Sequence, residues 1–200
     1  MDIIYRDNDI CVCNKPCGVL SEGEGERALP SLLSRELGVS TVYPVHRLDR
    51  ETRGLMVYAL TKNAAAKLSA AIAAGELKKE YVAELCGVVE KSEDTLCDLL
   101  FYDRQRGKSF VVNRERRGVK RAELRYSLIE TDGIYSKVRV KLITGRTHQI
   151  RVQFASRGLP LRGDRRYGAP ADSGEFTLRS CYLSFAHPIS GEIMEFFDEQ

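Results

Sequence analysis

SFVVN (residues 109–113), KRAELRYSLIE (120–130) and IYSKVRVKLI (134–143) follow one another within 35 residues. All three runs are rich in β-branched and aromatic residues, and the two longer ones alternate apolar with polar side chains, the pattern of half-buried strands. Thr131-Asp132-Gly133 between the last two is a turn, so the stretch predicts an antiparallel meander. Working outward, IIYRDNDICVCN (3–14) predicts one or two strands, and residues 41–46, 54–60 and KKEYVAELCG (78–87) add others. Residues 178–197 add two more around Ser190-Gly191. Three helices fit between them. One opens at Pro30 and closes at Gly38, one is capped by Thr61 and stops at Gly75, and one, HQIRVQFASR, is capped by Thr147 and ends at Gly158. Strands outnumber helices and are joined by short turns, which predicts an α+β protein with a large, mostly antiparallel sheet. Residues 1–200 read as a single domain, with Glu22–Glu26 as a mobile loop.

The chain has 200 residues, 43% hydrophobic and 30% charged, a globular composition. No apolar run approaches the ~20 residues that span a bilayer. The first residues, MDIIYRDNDI, lack the basic-then-apolar order of a signal peptide. Six cysteines without that signal read as reduced thiols of a cytoplasmic protein. The net charge of +3 hides two segments, Arg104–Arg121 and Arg139–Arg166, each with eight basic residues and one acid. The acids collect elsewhere, at Glu22, Glu24, Glu26, Glu192, Glu195, Asp198 and Glu199. A solvated surface accounts for one such run. Two, with Phe110, Tyr126 and Phe154 interleaved, point to a cationic face for nucleic acid.

Three clusters could carry chemistry. In His46-Arg47-Leu48-Asp49-Arg50-Glu51-Thr52-Arg53-Gly54 an aspartate lies between two arginines in a polar loop flanked by strands. Cations on both sides favour the carboxylate, suited to act as nucleophile or electrostatic stabiliser. A salt-bridged turn fits the same residues. In Lys78-Lys79-Glu80-Tyr81 the ring offers a stacking surface beside phosphate-binding lysines, or is a half-buried strand tyrosine. In Thr144-Gly145-Arg146-Thr147-His148-Gln149-Ile150-Arg151, Arg146 precedes a helix start, where anions are favoured. Ile150 and Phe154 make the core face of that helix, Arg151 a surface position and His148 a structural histidine. Cys11, Cys13 and Cys17 lack the spacing and the companion ligands of a zinc site. Phosphate-loop, dinucleotide and serine-hydrolase motifs are absent.

Taken in order, HRLDRETRG, KKEYVAELCG and TGRTHQIRV, then GDRRYG (163–168) and LSFAHPISGE (183–192), closely resemble the RluA family of RNA pseudouridine synthases. Asn14-Lys15-Pro16-x-Gly18 matches that family's early segment. The resemblance runs from about residue 9 to 197. It implies a pseudouridine synthase-like α+β catalytic domain with a central cleft and flanking helices, without an appended RNA-binding domain. It implies isomerisation of specific uridines in structured RNA, ribosomal or transfer, by a monomer that uses no cofactor and no metal. Asp49 matches the catalytic aspartate, Tyr81 the tyrosine that packs on the target base, and Arg146 the arginine that pairs with the aspartate. Arg47 matches a residue that can enter the RNA stack where the base has left. The chain departs from the family at Arg53, where serine is usual, at Gln153, where histidine is usual, and at Leu178-Arg179-Ser180, where Leu-His-Ala is usual. Those changes are expected to alter which RNA is gripped. The alternative function is an inactive RNA-binding protein of the same fold.

Overall fold

The computed structural model describes residues 1–198, so Glu199 lies outside the described residues. The chain divides into two compact units, Met1–Lys79 with Arg179–Gln200, and Glu80–Leu178.

In the first unit, β1 (Asp2–Arg6) pairs antiparallel with β2 (Ile10–Lys15), and β2 with β4 (Arg53–Ala59). β4 runs parallel to β10 (Arg179–Ala186), which pairs antiparallel with β11 (Ile193–Phe197). The strand expected at 41–46 shrinks to β3 (Tyr43–Pro44), paired with the end of β4. Pro44 carries no N–H and cannot extend the ladder, which ends the pairing there. Alternate residues Ile10, Val12, Leu55, Val57, Leu183 and Phe185 form one buried face, covered by Ala64 and Leu68 of α2 (Lys62–Ala73). The opposite face, with Cys11, Cys13, Met56 and Tyr58, is also buried, so these strands read apolar throughout. Thr61 caps α2 as expected, its hydroxyl accepting from Ala64 N at 3.2 Å. The other helix, α1 (Leu29–Leu37), opens on proline and closes at Gly38 in the left-handed conformation.

The second unit is an antiparallel sheet in the order β5 (Lys78–Cys86), β9 (Tyr135–Leu142), β8 (Val119–Thr131), β6 (Glu93–Asp103), β7 (Lys108–Val112). Of the expected meander, β8 and β9 pair as antiparallel neighbours, but β7 does not follow on: β6, an 11-residue strand that the sequence pattern did not reveal, lies between β8 and β7. α3 (Gln149–Ala155) lies on this sheet, with Val152 packed among Leu100, Ala122 and Tyr167. Three further expectations fail here. Thr147 does not cap α3. His148, at φ 55°, precedes it, and Gln149 Oε1 reaches back to accept from Arg146 N at 3.0 Å. Arg151 is 3% exposed instead of superficial, in a two-point ion pair with buried Asp164 at 2.7 and 2.8 Å. Tyr126 and Phe154 are core residues in edge contact with each other, and only Phe110 of the interleaved aromatics carries basic side chains, Arg106 and Lys108, on its ring.

The β10 backbone lies directly against β4 at Gly54. Its φ is +113°, and a Cβ there would lie 2.2 Å from the Ser180 carbonyl oxygen. Gly54→Ala therefore meets backbone that cannot yield, on top of an unfavourable dihedral. It is expected to cost about 3 kcal/mol or more. Gly133→Ala, at φ +87° with no atom within 4 Å, is expected to cost about 1–2 kcal/mol. Urea unfolding midpoints of the two variants measure the difference.

Candidate active site

Arg47 and Asp49 share the loop between β3 and β4 in the first unit. Both neighbours of Asp49 are anchored. Leu48 N donates to Ser21 Oγ at 3.3 Å, and Ser21 Oγ donates to Leu48 O at 2.8 Å. The buried Tyr58 hydroxyl fixes Ser21 by donating to its carbonyl at 2.8 Å. On the other side, Arg50 O accepts from Gly18 N at 2.9 Å and from Lys15 Nζ at 3.0 Å, and Arg50 Nε returns a bond to Gly18 O at 3.1 Å. Thr52 N donates to Asp49 O at 3.1 Å, closing the turn. Asp49 itself is half-buried.

Lys15 is the residue that sequence reasoning left without a role. Its side chain is fully buried, and Nζ donates to three carbonyls, of Pro16 at 2.9 Å, Val19 at 2.7 Å and Arg50 at 3.0 Å. Three N–H groups thus meet three acceptors from two segments of chain. Its place in Asn14-Lys15-Pro16-x-Gly18 was the available signal. His46 opens the loop, accepting from Val57 N on Nε2 at 3.1 Å. Burial, with the charge of Lys79 nearby, holds its imidazole well below its usual pKa, hence neutral. His46 Nδ1 and Thr52 Oγ1, near the two ends of the loop, are buried without hydrogen-bond partners.

Arg47 is exposed and pairs with Glu22 at 2.9 Å, both side chains more than half accessible. Such a pair contributes about 0–1 kcal/mol and releases readily. Tyr81 and Arg146 lie in the second unit. Tyr81, 4% exposed on β5, stands opposite Val140 of β9. Arg146 follows the end of β9, so the two sit at the same end of this strand pair. Arg146 is exposed and its Nε donates to Arg121 O at 3.0 Å. Of the departures from the family pattern, Gln153 is buried and donates to Leu96 O and Asp98 Oδ2, and Arg179 is paired with Asp198 at 3.0 Å. Both side chains make internal contacts. Arg53 is exposed.

Comparison with known proteins places this arrangement. The family profile described as RNA pseudouridylate synthase matches residues 9–156. Human RNA Pseudouridylate Synthase Domain Containing 1 shares the fold with a TM-score of 0.84 at 25% identity, over 100% of this chain and 83% of that one. The class is therefore the pseudouridine synthases, isomerases that act on RNA. Within it, the chain is 35% identical over 206 residues to the dual-specificity RNA pseudouridine synthase RluA of Haemophilus influenzae, covering 98% of this chain and 91% of that protein. It is 34% identical to the ribosomal large subunit pseudouridine synthase D of Pasteurella multocida, covering 98% and 66%. The chain belongs to the RluA family of RNA pseudouridine synthases.

The Lys15 clamp makes the loop sensitive to pH. Burial, the largest cause, pushes its ammonium down to about 8, while Cys17, Glu51, Asp49 and Cys13 face it and favour the charge. Above about pH 8 the amine keeps two N–H groups for three carbonyls. Activity is expected to fall with a midpoint near pH 8, and Lys15→Met to lose that limb and run about 100-fold slower, as displaced catalytic groups do. Stability has the opposite sign. The unfolded chain holds the extra proton between about pH 8 and the ordinary 10.5, so this group raises stability with pH across that window. A pH–rate profile beside unfolding curves checks both.

Proposed function

We propose that Asp49 is the catalytic carboxylate and that the substrate is a uridine of ribosomal or transfer RNA. The observation that carries this reading is the fixing of Leu48 and Arg50 on either side of Asp49, which aims its side chain from an immobile backbone. Relatives named for dual specificity and for the ribosomal large subunit support the substrate class. The reaction breaks the bond between N1 of uracil and C1′ of the ribose, turns the base, and joins C5 to C1′. The C5 hydrogen leaves as a proton to water and N1 gains one, so the atoms balance within one nucleotide and no oxidant, reductant or metal enters. Asp49 serves either by attack at C1′ or by removing a sugar proton to give a glycal. Arg146 keeps the carboxylate charged and aimed. Tyr81, at 4% exposure, holds a base that has left its stack rather than one lying on the surface. Arg47, tethered among the described residues by one solvated ion pair, can swing out to fill the gap left in the RNA.

Extruding a base costs a few kcal/mol, and one stacked ring returns about 1–3 kcal/mol. Phosphate contacts must supply the remainder, so a loop, bulge or weak pair is the expected target. Among the described residues no helix is long and apolar enough to cross a membrane. The protein works as a monomer in the cytoplasm, without a cofactor.

Tritium placed at uracil C5 of RNA from cells lacking the gene gives the test. Wild-type protein is expected to release it into water and Asp49→Ala to fall to background while keeping its fold. An Asp49→Ala protein that releases tritium at the wild-type rate refutes the assignment. RNA affinity is expected to fall steeply with salt, log K changing by about −0.7 to −0.9 per log salt for each phosphate contacted. Filter binding from low to moderate salt reads that slope, and a flat response refutes the cationic face.

A further inference from the structure

The second unit contains both basic segments and carries nineteen Lys and Arg against fourteen Asp and Glu, net +5. It also holds a cavity of about 760 Å³ whose lining includes Tyr102, Arg104, Ser109, Lys120, Arg146 and Thr147. The strand register explains its floor. Lys120 of β8 stands opposite Leu100 of β6, and Tyr102 lies two residues further along the same face. α3 covers that face at Leu100 and Ala122, and the cavity opens beyond the helix start, where Gly145, Arg146 and Thr147 form a wall.

The ring of Tyr102 is 38% exposed but not loose. His148 meets it edge-on, with centroids 6.1 Å apart at 90°. His148 in turn is edge-on to Tyr167 and shares a 2.9 Å hydrogen bond between Nδ1 and the Tyr167 hydroxyl. Ser109 N donates to that hydroxyl at 2.8 Å, and Ser109 Oγ to Thr147 O at 2.6 Å. Among the described residues His148 is the one non-glycine with positive φ, a strained conformation that surrounding contacts must hold. These contacts fix both the wall and the backing of the ring.

The charges around the ring are available. Arg104 and Lys120 are exposed and, among the described residues, their side chains make no ion pair or hydrogen bond. The acid in the lining, Asp103, is engaged by Gln105 N at 2.9 Å and Arg106 N at 3.1 Å in its own turn. An aromatic face with one edge open, between uncompensated cations, matches an unpaired base with a phosphate on either side. The volume falls within the roughly 300–1,000 Å³ of ligand pockets.

We propose that this cavity binds an unpaired nucleotide of the substrate strand, its base stacked on Tyr102 and its flanking phosphates against Arg104 and Lys120. Because Arg146 belongs to the same wall, the bound nucleotide is a neighbour of the target uridine. The inference rests on RNA being the substrate, as proposed above.

Binding and turnover are measured separately on RNA from cells lacking the gene. Lys120→Ala is expected to weaken filter-bound affinity several-fold and to flatten the salt slope by about one phosphate. Tyr102→Ala is expected to weaken binding about fivefold or more, with Tyr102→Phe restoring it, since the ring and not the hydroxyl stacks. In turnover both losses enter KM. Lys137→Ala, which removes an exposed partner of Glu130 on the same unit, is the control and is expected to bind like wild type. Uridine monophosphate at equal nucleotide concentration is expected to compete poorly. Wild-type affinity and slope in both Lys120→Ala and Tyr102→Ala, an equal loss in Lys137→Ala, or full competition by the mononucleotide overturns the subsite. Absence of tritium release by wild type counts against the function and leaves the binding comparison intact.

Discussion

A lysine with no solvent contact organises the first unit. Burying an ammonium costs several kcal/mol unless each N–H finds an acceptor. Lys15 meets that demand with three main-chain carbonyls, one from the loop that carries Asp49 and two from the turn after β2. The requirement works in both directions. The carbonyls satisfy the charge, and the charge fixes two loops that share no secondary structure. Ser21 and Tyr58 do the same for the other side of Asp49 with neutral groups. Rigid placement of one carboxylate thus depends on polar atoms that lie inside the protein and never meet the substrate.

The second unit separates its charges by depth. Arg151 and Asp164 are fully enclosed and satisfy each other through two parallel hydrogen bonds, an arrangement that fixes α3 against the segment before Tyr167. The guanidinium also lies over the rings of Tyr167 and Phe176, at 5.1 Å from each centroid. Nearer the surface, Lys137, Arg139 and Arg162 also have acid partners, but among the described residues Arg104 and Lys120 have none and Arg146 donates to a carbonyl. One set of basic residues is structural and the other is available to a polyanion, although composition treats them alike.

That distinction also explains what could be read from the chain. The β8–β9 hairpin was legible because both strands alternate cleanly, whereas the place of β7 beyond β6 was not, and Thr61 and Gly38 announced helix ends by local chemistry. The ordered motifs identified the family and placed Asp49 in a polar loop. β6 escaped notice because Glu93, Asp94, Asp98 and Asp103 break its apolar pattern. Its place becomes intelligible only in the folded chain, where Leu96 stands opposite Leu124 of β8 and Asp98 accepts from Gln153 and Arg157, more than 50 residues away. Arg151 looked superficial because its acid partner lies 13 residues away in a turn. Thr147 resembled a cap, but His148 takes the cap position in the left-handed conformation, and Gln149 N donates to Arg146 O at 3.1 Å. Lys15 ends a strand, where a lysine usually reaches water, and nothing local shows that the turn after it and the loop around Arg50 close over it.

The chain order of the two units has a consequence for folding. The second unit is one continuous segment, and its five strands have their mutual partners once residue 178 has been made. The first unit is interrupted. β4, which leads directly out of the Asp49 loop, gains β10 only after Ser180 has been added, at the place where Gly54 admits the neighbouring backbone. Contacts of such sequence separation form late in folding. The second unit can therefore complete its pairings from one stretch of chain, whereas the loop that bears Asp49 gains its final frame only when the two ends of the sequence meet.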